Sequence, residues 1–333
     1  MKINIAALNR FEKTVKILRS MKKFLGPTGF GLFVALILEL IIFTNLSPYF
    51  LNSTNFSNIG RAMVIIGIGS IGATIIIISG GFDLSAGSVM AASGMLAAFV
   101  INQGQSNLVG VVLALMLGCI IGLFNGFVIG YIRINPLIAT LAMLSIVRGL
   151  AYIISGGNAE VVSNPAFLAI GTDSLLGIPL TVWIFVILFL SVGFVMPRTH
   201  FGKYVYAIGS NSRAARLAGI LVNRWTLVFY AFSGTTAALA GYVTVARTGQ
   251  AEPSSNIGAE LDMITAVILG GASLSGGKGR LFGTFLAIVV LAILANGLVL
   301  IGVPSYWQLP VKGCVLMGAI IWGELHNASR DKS

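Results

Sequence analysis

The sequence predicts an all-α, polytopic membrane protein with about ten transmembrane helices. Hydrophobic residues make up 56% of its 333 residues and charged residues only 9%. A soluble domain carries about a quarter charged residues, so this chain cannot cover a water-facing surface and must face lipid. The second observation is a row of glycines, one every four residues, inside the apolar run 108–131. This small-xxx-small pattern is typical of helices that pack closely within a bilayer. We expect a packing face formed by Gly118, Gly122, Gly126 and Gly130.

Apolar runs long enough to cross a bilayer, about 20 residues each, give the predicted spans. Two of these runs end in glycine pairs, Gly80–Gly81 and Gly270–Gly271. Glycine-interrupted segments of this kind can form broken or re-entrant helices. The ten predicted spans are residues 29–46, 62–80, 86–103, 108–131, 136–155, 179–196, 225–246, 261–275, 282–301 and 304–323.

The distribution of lysine and arginine predicts the orientation. With the N-terminus in the cytoplasm, 17 of the 21 Lys and Arg residues fall in cytoplasmic segments, as the positive-inside rule requires. An even number of spans then places both termini in the cytoplasm. No nucleic-acid partner is expected despite the net charge of +11, because no aromatic-rich basic surface accompanies the charges. Four cations depart from the pattern: Arg61, Arg148, Arg247 and Lys312.

Three segments follow from this topology. Residues 1–27 are basic, and their apolar side chains recur at three- and four-residue steps. They form either an amphipathic helix on the inner membrane surface or a disordered tail that only fixes the orientation. They lack the small-residue cleavage pattern of a signal peptide. Residues 28–324 form the transmembrane domain, which includes the cytoplasmic segment 197–224, and residues 325–333 form a short cytoplasmic tail.

The sequence lacks the side-chain patterns that carry catalysis. Its two histidines and two cysteines do not have the spacing of a metal site or a disulfide. HExxH and GxSxG patterns are also missing. The loop from Gly271 to Arg280 resembles a phosphate-binding loop, but Gly279 stands where the Mg²⁺-binding hydroxyl should follow Lys278. We therefore expect no catalytic residues, no metal and no cofactor, with any ATP hydrolysis in a separate partner ATPase.

Polar groups within the predicted spans are costly in lipid and are therefore candidates for function. Arg148 and Lys312 carry charges in the fifth and tenth spans, and Asn135 and Thr140 lie at the start of the fifth. These four residues either line a path for a hydrophilic solute or form structural ion pairs and interhelical hydrogen bonds. For Glu39, in the first span, we favour a structural role. Isolated charges of this kind do not resemble the acidic relay of a proton- or sodium-coupled carrier.

The cytoplasmic segment 197–224 contains a predicted short helix of about two turns. Asn211 or Ser212 is a suitable N-cap, and Gly219 is a natural C-terminal end. The small side chains between them would let the helix enter a groove on another protein. The alternative is a connecting helix that only touches lipid headgroups. The residues of this candidate helix are Asn211, Arg213, Ala214, Ala215, Arg216, Ala218 and Gly219.

Several stretches of the chain, spread in the same order over residues 60–325, resemble the permease subunits of bacterial ribose/monosaccharide-type ABC importers. They are 80–90 (GGFDLSAGSVM), 135–141 (NPLIATL), 145–149 (SIVRG), 197–224 and 266–279 (AVILGGASLSGGKG). The resemblance implies that the helix at 211–219 couples to the ATPase. From the residues alone, Asp83 could equally cap the third span. The resemblance also implies a functionally important loop that comprises Gly81, Asp83, Leu84, Ser85 and Gly87.

A non-enzymatic permease with several partners is what this resemblance implies. A cytoplasmic ABC ATPase would engage the coupling helix, and a periplasmic or lipid-anchored sugar-binding protein would deliver the substrate. A second permease copy, identical or a sister subunit, would complete the pore within the lipid bilayer of the inner membrane. The implied function is import of a monosaccharide, a ribose-type pentose or related sugar, by alternating access. The alternatives are an ion-coupled secondary carrier for a small polar solute and an integral-membrane enzyme.

Overall fold

The structure is a computed structural model that describes residues 29–308 together with residues 310, 311, 313, 314, 317 and 318. The described part of the chain is almost entirely helical, with two short antiparallel ribbons of two residues per strand. Four predictions fall wholly or partly outside the described residues. They concern the N-terminal segment 1–27, Lys312, nine of the twenty residues of the span 304–323, and the tail 325–333.

Twelve helices follow one another between Gly29 and Leu300, with two ribbons in the connections. The helices are α1 (Gly29–Leu46), α2 (Ser53–Ile78), α3 (Ala86–Asn102), α4 (Asn107–Phe127, continued by the π-helical turn Val128–Ile132), α5 (Pro136–Ser155), α6 (Pro165–Thr172), α7 (Leu180–Arg198), α8 (His200–Ser210), α9 (Ser212–Leu217), α10 (Val222–Thr248), α11 (Ala259–Leu269) and α12 (Leu281–Leu300). Strand β1 (Glu160–Val161) pairs with β4 (Gln250–Ala251), and β2 (Ser174–Leu175) pairs with β3 (Ile178–Pro179).

Seven of the described helices are long and apolar enough to cross a membrane: α1, α2, α4 with its π-helical turn, α5, α7, α10 and α12. The predicted class, a helical membrane protein, is therefore confirmed, whereas the count of ten spans and the placement of the termini stay predictions. Helix α3 is apolar but has 17 residues, and α11 has only 11. Helices α6 and α8 were not predicted, because a search for runs of spanning length passes over short helices.

Two predicted boundaries were wrong. Helix α2 begins at Ser53 rather than at residue 62, because the side chain of Asn52 caps it by accepting a hydrogen bond from the Thr54 amide. The first turns of α2 look too polar for a span, yet Asn55 forms two reciprocal amide hydrogen bonds with Asn296 of α12, 3.0 and 2.9 Å long. Helix α11 ends at Leu269 rather than at residue 275, where the glycine pair begins.

Helices α2, α3 and α10 form the centre of the bundle, since most of their residues are buried. The glycine row of α4 lies against α10 along its whole length. A Cβ atom at Gly122 would lie 2.8 Å from the Cα atom of Ala231, and one at Gly126 would lie 2.7 Å from that of Leu227. Only glycine therefore lets these two backbones approach so closely. The opposite face of α4, including Ile120, is exposed and suits contact with lipid.

Helices α3 and α11 both begin inside the bundle rather than at its surface. The loop that leads into α3 is bonded to Ser233, about halfway along α10. The first turn of α3 also meets the first turn of α11, because a Cβ atom at Gly87 would collide with the carboxylate of Glu260. From this meeting point the two helices run to different places. Helix α3 ends at Asn102, which contacts Glu160, and α11 ends beside Gly283 at the start of α12. They are half-helices whose N-termini converge.

Candidate functional site

The carboxylate of Asp83 is the centre of a buried polar network beside the start of α3. Its side chain is only 8% exposed. The Oδ1 atom accepts hydrogen bonds from the Ser85 amide at 3.0 Å and the Ser85 hydroxyl at 2.6 Å, while Oδ2 accepts one from the Ser233 hydroxyl at 2.9 Å. The negative charge also lies at a helix N-terminus, where the helix dipole favours it. Asp83 therefore both starts α3 and ties it to α10.

Two further helices support this network. Asn125 of α4 donates to the Ser85 hydroxyl at 3.0 Å, and the Tyr230 hydroxyl of α10 donates to the Phe82 carbonyl at 2.9 Å. A Cβ atom at Gly81 would lie 2.7 Å from the same Tyr230 hydroxyl, so glycine is required there. The loop of Gly81, Asp83, Leu84, Ser85 and Gly87 is thus held from several sides. Sequence reasoning missed Ser233 and Tyr230, because nothing in a single chain pairs them with a loop some 150 residues away.

Three chain segments meet by direct backbone contact at a place that we call the glycine junction, formed by Gly80, Gly209, Gly276 and Gly277. The Gly277 amide donates to the Ile78 carbonyl at 2.8 Å. A Cβ atom at Gly209 would collide with that carbonyl oxygen, and one at Gly276 would lie 2.9 Å from the Gly80 Cα atom. The junction therefore joins the ends of α2 and α8 to the loop before α12. Sequence reasoning did not find it.

The hydroxyl of Tyr206, on α8, adds a side-chain hydrogen bond next to this junction. It donates to the Gly279 carbonyl at 3.0 Å. Burial raises the pKa of Tyr206, and nearby Arg280 lowers it by less. The phenol therefore stays protonated at physiological pH and keeps donating. Helix α8 is thus fixed to the loop before α12 by both backbone and side-chain contacts.

Helix α9 has the caps that the sequence predicted. The Asn211 side chain accepts a hydrogen bond from the Ala214 amide at 2.9 Å, and Gly219 has φ +84° just past the helix end. Ala215 is only 5% exposed and packs against the rest of the protein, whereas Leu217 is 85% exposed. The remaining predicted side chains of this helix, Arg213, Ala214, Arg216 and Ala218, are exposed.

A polar cavity of about 440 Å³ lies between the Asp83 loop and the segment 197–224. Its walls come from the end of α2, the connection from α4 to α5, the α8–α9 corner and the start of α10. Residues from each of these walls are Gly81, Pro136, Ser210, Asn211, Thr226 and Tyr230. The glycine junction closes one side of this cavity, because Gly80 and Gly209 also line it.

The structure describes three of the four candidate pathway residues, Asn135, Thr140 and Arg148, and their contacts differ. Asn135 is exposed and caps α5 by accepting a hydrogen bond from the Leu137 amide, and the buried Thr140 bonds back to the Pro136 carbonyl. Arg148 donates to the Pro253 and Ser255 carbonyls, at 2.6 and 2.7 Å. These contacts fasten the segment before α11 to α5.

Sequence reasoning missed Glu260, in the first turn of α11. Its Oε2 atom is buried with no hydrogen-bond partner among the described residues, and Gly87 leaves the space for it. A signal was present, because Glu260 and Asp262 are the acidic residues of an otherwise apolar segment. Elsewhere in the described chain, Glu39 of α1 likewise has one buried carboxylate oxygen without a partner.

Metal ligands are not clustered within the described residues, where no group of three or more His, Cys, Asp or Glu side chains could hold an ion. Apolar helices around two half-helices whose N-termini meet inside the bundle are instead typical of membrane transport proteins. The fold and the site thus define the class of the protein as a transporter.

The chain belongs to the family described as branched-chain amino acid transport system / permease component, which matches residues 55–320. It is 39% identical over 292 residues to the ribose import permease protein RbsC of Escherichia coli K12, covering 86% of this chain and 91% of that protein. The RbsC protein of Bacillus subtilis is 38% identical over 87% of this chain and 91% of its own length. The L-arabinose transport system permease protein AraH of Escherichia coli K12 is 38% identical over 88% and 89%. No solved structure matches the chain.

The resemblance seen in the sequence motifs is therefore confirmed. The chain is a permease subunit of the inner membrane, with several membrane-spanning helices, and it is not an enzyme.

Proposed function

We propose that this chain is the transmembrane subunit of an ATP-driven importer for a monosaccharide, a ribose-type pentose or related sugar. The observation that carries the proposal is the identity of 38–39% to ribose and arabinose permeases over 86–88% of the chain. The family description names branched-chain amino acids. The near-full-length relatives carry more weight because they match this chain specifically. Both sugars that they name are aldopentoses.

The importer would have its coupling segment and both termini in the cytoplasm. The distribution of charged connections in the structure supports this orientation. Gly277, next to Lys278, contacts Ser210 of the basic coupling segment, so these basic connections share one end of the bundle. Glu160 and Glu252, in or next to the β1–β4 ribbon, lie at the other end. Positive charge on the cytoplasmic side is what membrane insertion favours.

The partner ATPase would dock on α9. Leu217 supports this proposal because it is an almost fully exposed leucine at a helix end, flanked by exposed Arg213 and Arg216. An exposed apolar side chain suits contact with another protein, and arginine is enriched at protein interfaces. Because Ala215 faces inward, substitutions there would test packing rather than docking. Leu217 is the residue to change.

Replacing Leu217 by aspartate should reduce recovery of the ATPase with the purified permease, and sugar uptake, by about tenfold or more, the usual effect of losing a central interface residue. Leu176→Asp is a matched control, because Leu176 is equally exposed on the β2–β3 turn, away from α9. Both variants should insert in the membrane in normal amounts. Normal ATPase recovery with Leu217→Asp would remove α9 from the docking surface.

The glycine junction would transmit movement of α9 to the Asp83 loop, so that ATP binding in the partner drives alternating access. Asn211 is the only residue between α8 and α9, and Gly80 lies three residues before Asp83. The contacts between them are backbone to backbone, without flexible side chains that could absorb the motion. Packed interfaces of this kind switch between discrete arrangements rather than deform continuously.

Gly209→Ala should therefore uncouple the importer: the ATPase stays bound, while sugar transported per ATP falls by about tenfold. The new methyl group would collide with the Ile78 carbonyl and lie 2.7 Å from the Gly277 nitrogen. Tyr206→Phe, which removes only the bond to Gly279, should give a smaller loss in the same ratio. In the control Gly193→Ala the nearest atom is 4.0 Å away. An unchanged ratio in both test variants would contradict this role for the junction.

Two further partners complete the proposed importer: a sugar-binding protein on the extracytoplasmic face and a second permease copy, as a homodimer or a sister subunit.

The function is tested by purifying the chain from membranes, identifying the proteins that stay bound, and measuring pentose uptake in vesicles. A co-purified ATPase and uptake that requires ATP, with or without a proton gradient, are the expected results. Recovery of the chain alone, with uptake that needs no ATP, would favour the ion-coupled carrier instead.

A further inference from the structure

Two of the cations that depart from the positive-inside pattern lie side by side in the structure. Arg61 of α2 donates to the Thr172 carbonyl at 2.7 Å, and Arg247 of α10 donates to the Arg61 carbonyl at 3.4 Å. The second of these hydrogen bonds places the two positively charged residues in direct contact. They lie at the end of α10 opposite the coupling segment, which is the extracytoplasmic end in the proposed orientation.

Within the described part of the chain, the hydrogen bonds of both guanidinium groups go to backbone carbonyls. Of the carboxylates at the same end, Glu160 accepts a hydrogen bond from Asn102, Glu252 accepts one from Gln250, and the exposed Asp173 accepts one from Thr172. The Nε atom of Arg61 is moreover buried without a hydrogen-bond partner among the described residues. Two adjacent positive charges that bond only to backbone carbonyls favour a negative partner, and a carboxylate supplied by another molecule could approach their exposed nitrogen atoms.

The surroundings of the pair favour a protein partner over lipid headgroups. Arg61 bonds to the last residue of helix α6 through the Thr172 carbonyl, so protein covers one side of the pair. Helix α6 covers the end of α10 from the side, because a Cβ atom at Gly171 would lie 2.6 Å from the Cα atom of Arg247. The pair is thus framed by protein and open towards the aqueous side, since Arg247 is exposed and Arg61 half-buried.

We propose that Arg61 and Arg247 are a docking site for carboxylate side chains on the soluble sugar-binding protein that delivers the substrate. This inference rests on the proposed function, and it adds the residues and the chemistry by which that partner is recognised. Charged pairs at an interface speed the encounter and fix its register, and salt weakens them. Docking is therefore most sensitive to these two residues at low ionic strength.

The test uses the importer with its ATPase in lipid nanodiscs, and the importer's own sugar-loaded binding protein as the probe. The measured quantity is the binding-protein concentration that gives half-maximal stimulation of ATP hydrolysis. In the double variant Arg61→Gln/Arg247→Gln this concentration should rise about 2- to 30-fold at low salt, the combined effect of losing two exposed charge pairs. High salt should bring the wild type close to the variant. The double variant Arg61→Lys/Arg247→Lys should recover part of the loss.

Controls separate docking from folding and from lipid binding. Recovery of the ATPase with each variant shows that the complex is intact, and Arg198→Gln removes a cation at the other end of the bundle, where Arg198 lies over the Phe194 ring. If the half-stimulating concentration of the glutamine variant equals that of the wild type, the docking proposal is wrong, while the proposed importer function stands. An effect seen only with anionic lipid also overturns it, because the cations would then serve headgroups. Absence of any ATPase, or of stimulation in the wild type, overturns the proposed importer itself.

Discussion

Gly122→Leu should abolish recovery of folded permease. A Cβ atom at this position already meets the α10 backbone, 2.8 Å from the Ala231 Cα atom, before the rest of the leucine is added. Extra methylenes in a packed core cost about 1–3 kcal/mol when neighbouring side chains can shift, but a backbone cannot move aside. Helices α4 and α10 would have to separate, and Asn125 of α4 would lose its bond to Ser85.

The measurement is the amount of monodisperse protein extracted in mild detergent and its thermal unfolding midpoint. Gly149→Leu is a matched control, because the same substitution on α5 enters space with no atom within 4 Å of the new Cβ. Gly122→Ala should give an intermediate result. Wild-type yield and unfolding midpoint for Gly122→Leu would show that α4 and α10 do not pack as the structure has them.

Asp83→Ala should destabilise the protein by about 3 kcal/mol or more, since each buried donor left without an acceptor costs about 1–3 kcal/mol. Three hydrogen bonds to the carboxylate would be lost, two from Ser85 and one from Ser233. Sugar uptake should fall to background, because the start of α3 is no longer fixed to α10. Asp83→Asn retains the shape and one carbonyl oxygen, so it should keep more of the stability.

Thermal unfolding in detergent and labelled-sugar uptake in cells are the two measurements for this series. Asp173→Ala is the control, because that carboxylate is exposed and accepts a hydrogen bond only from the adjacent Thr172 side chain. An Asp83→Ala protein with the unfolding midpoint of the wild type would mean that the network around Asp83 does not hold α3 in place.

The sequence predicted helix starts and ends correctly where the residues that determine them lie within one segment of the chain. Helix α5 occupies Pro136–Ser155 as predicted, because Asn135 caps its start and Gly156 ends it in the left-handed conformation. The α9 cap at Asn211 was predicted for the same reason. The start of α2 was not, because the polar residue Asn55 is compensated by a partner on α12, 241 residues away.

In the candidate site, too, motifs within one segment were predicted, whereas contacts between distant segments were not. The motif around Asp83 was recognisable in the sequence, but its partner Ser233 was not. The glycine row on α4 was visible as a pattern, while the identity of α10 as the opposing helix was not. Glu260 and the glycine junction went unnoticed, since their significance lies in which distant segments they touch.

By itself, the sequence determined that the chain is an apolar helical membrane protein, where several helices begin and end, and to which permeases it is similar. These properties follow from hydropathy, caps and short motifs, which act within one segment of the chain. Only the tertiary structure decided that α3 and α11 meet as half-helices, that Ala215 faces inward and Leu217 outward, and that Arg61 lies beside Arg247. Such contacts depend on how separate helices pack, and the shape of a packed interface is not encoded in the periodicity of either helix alone.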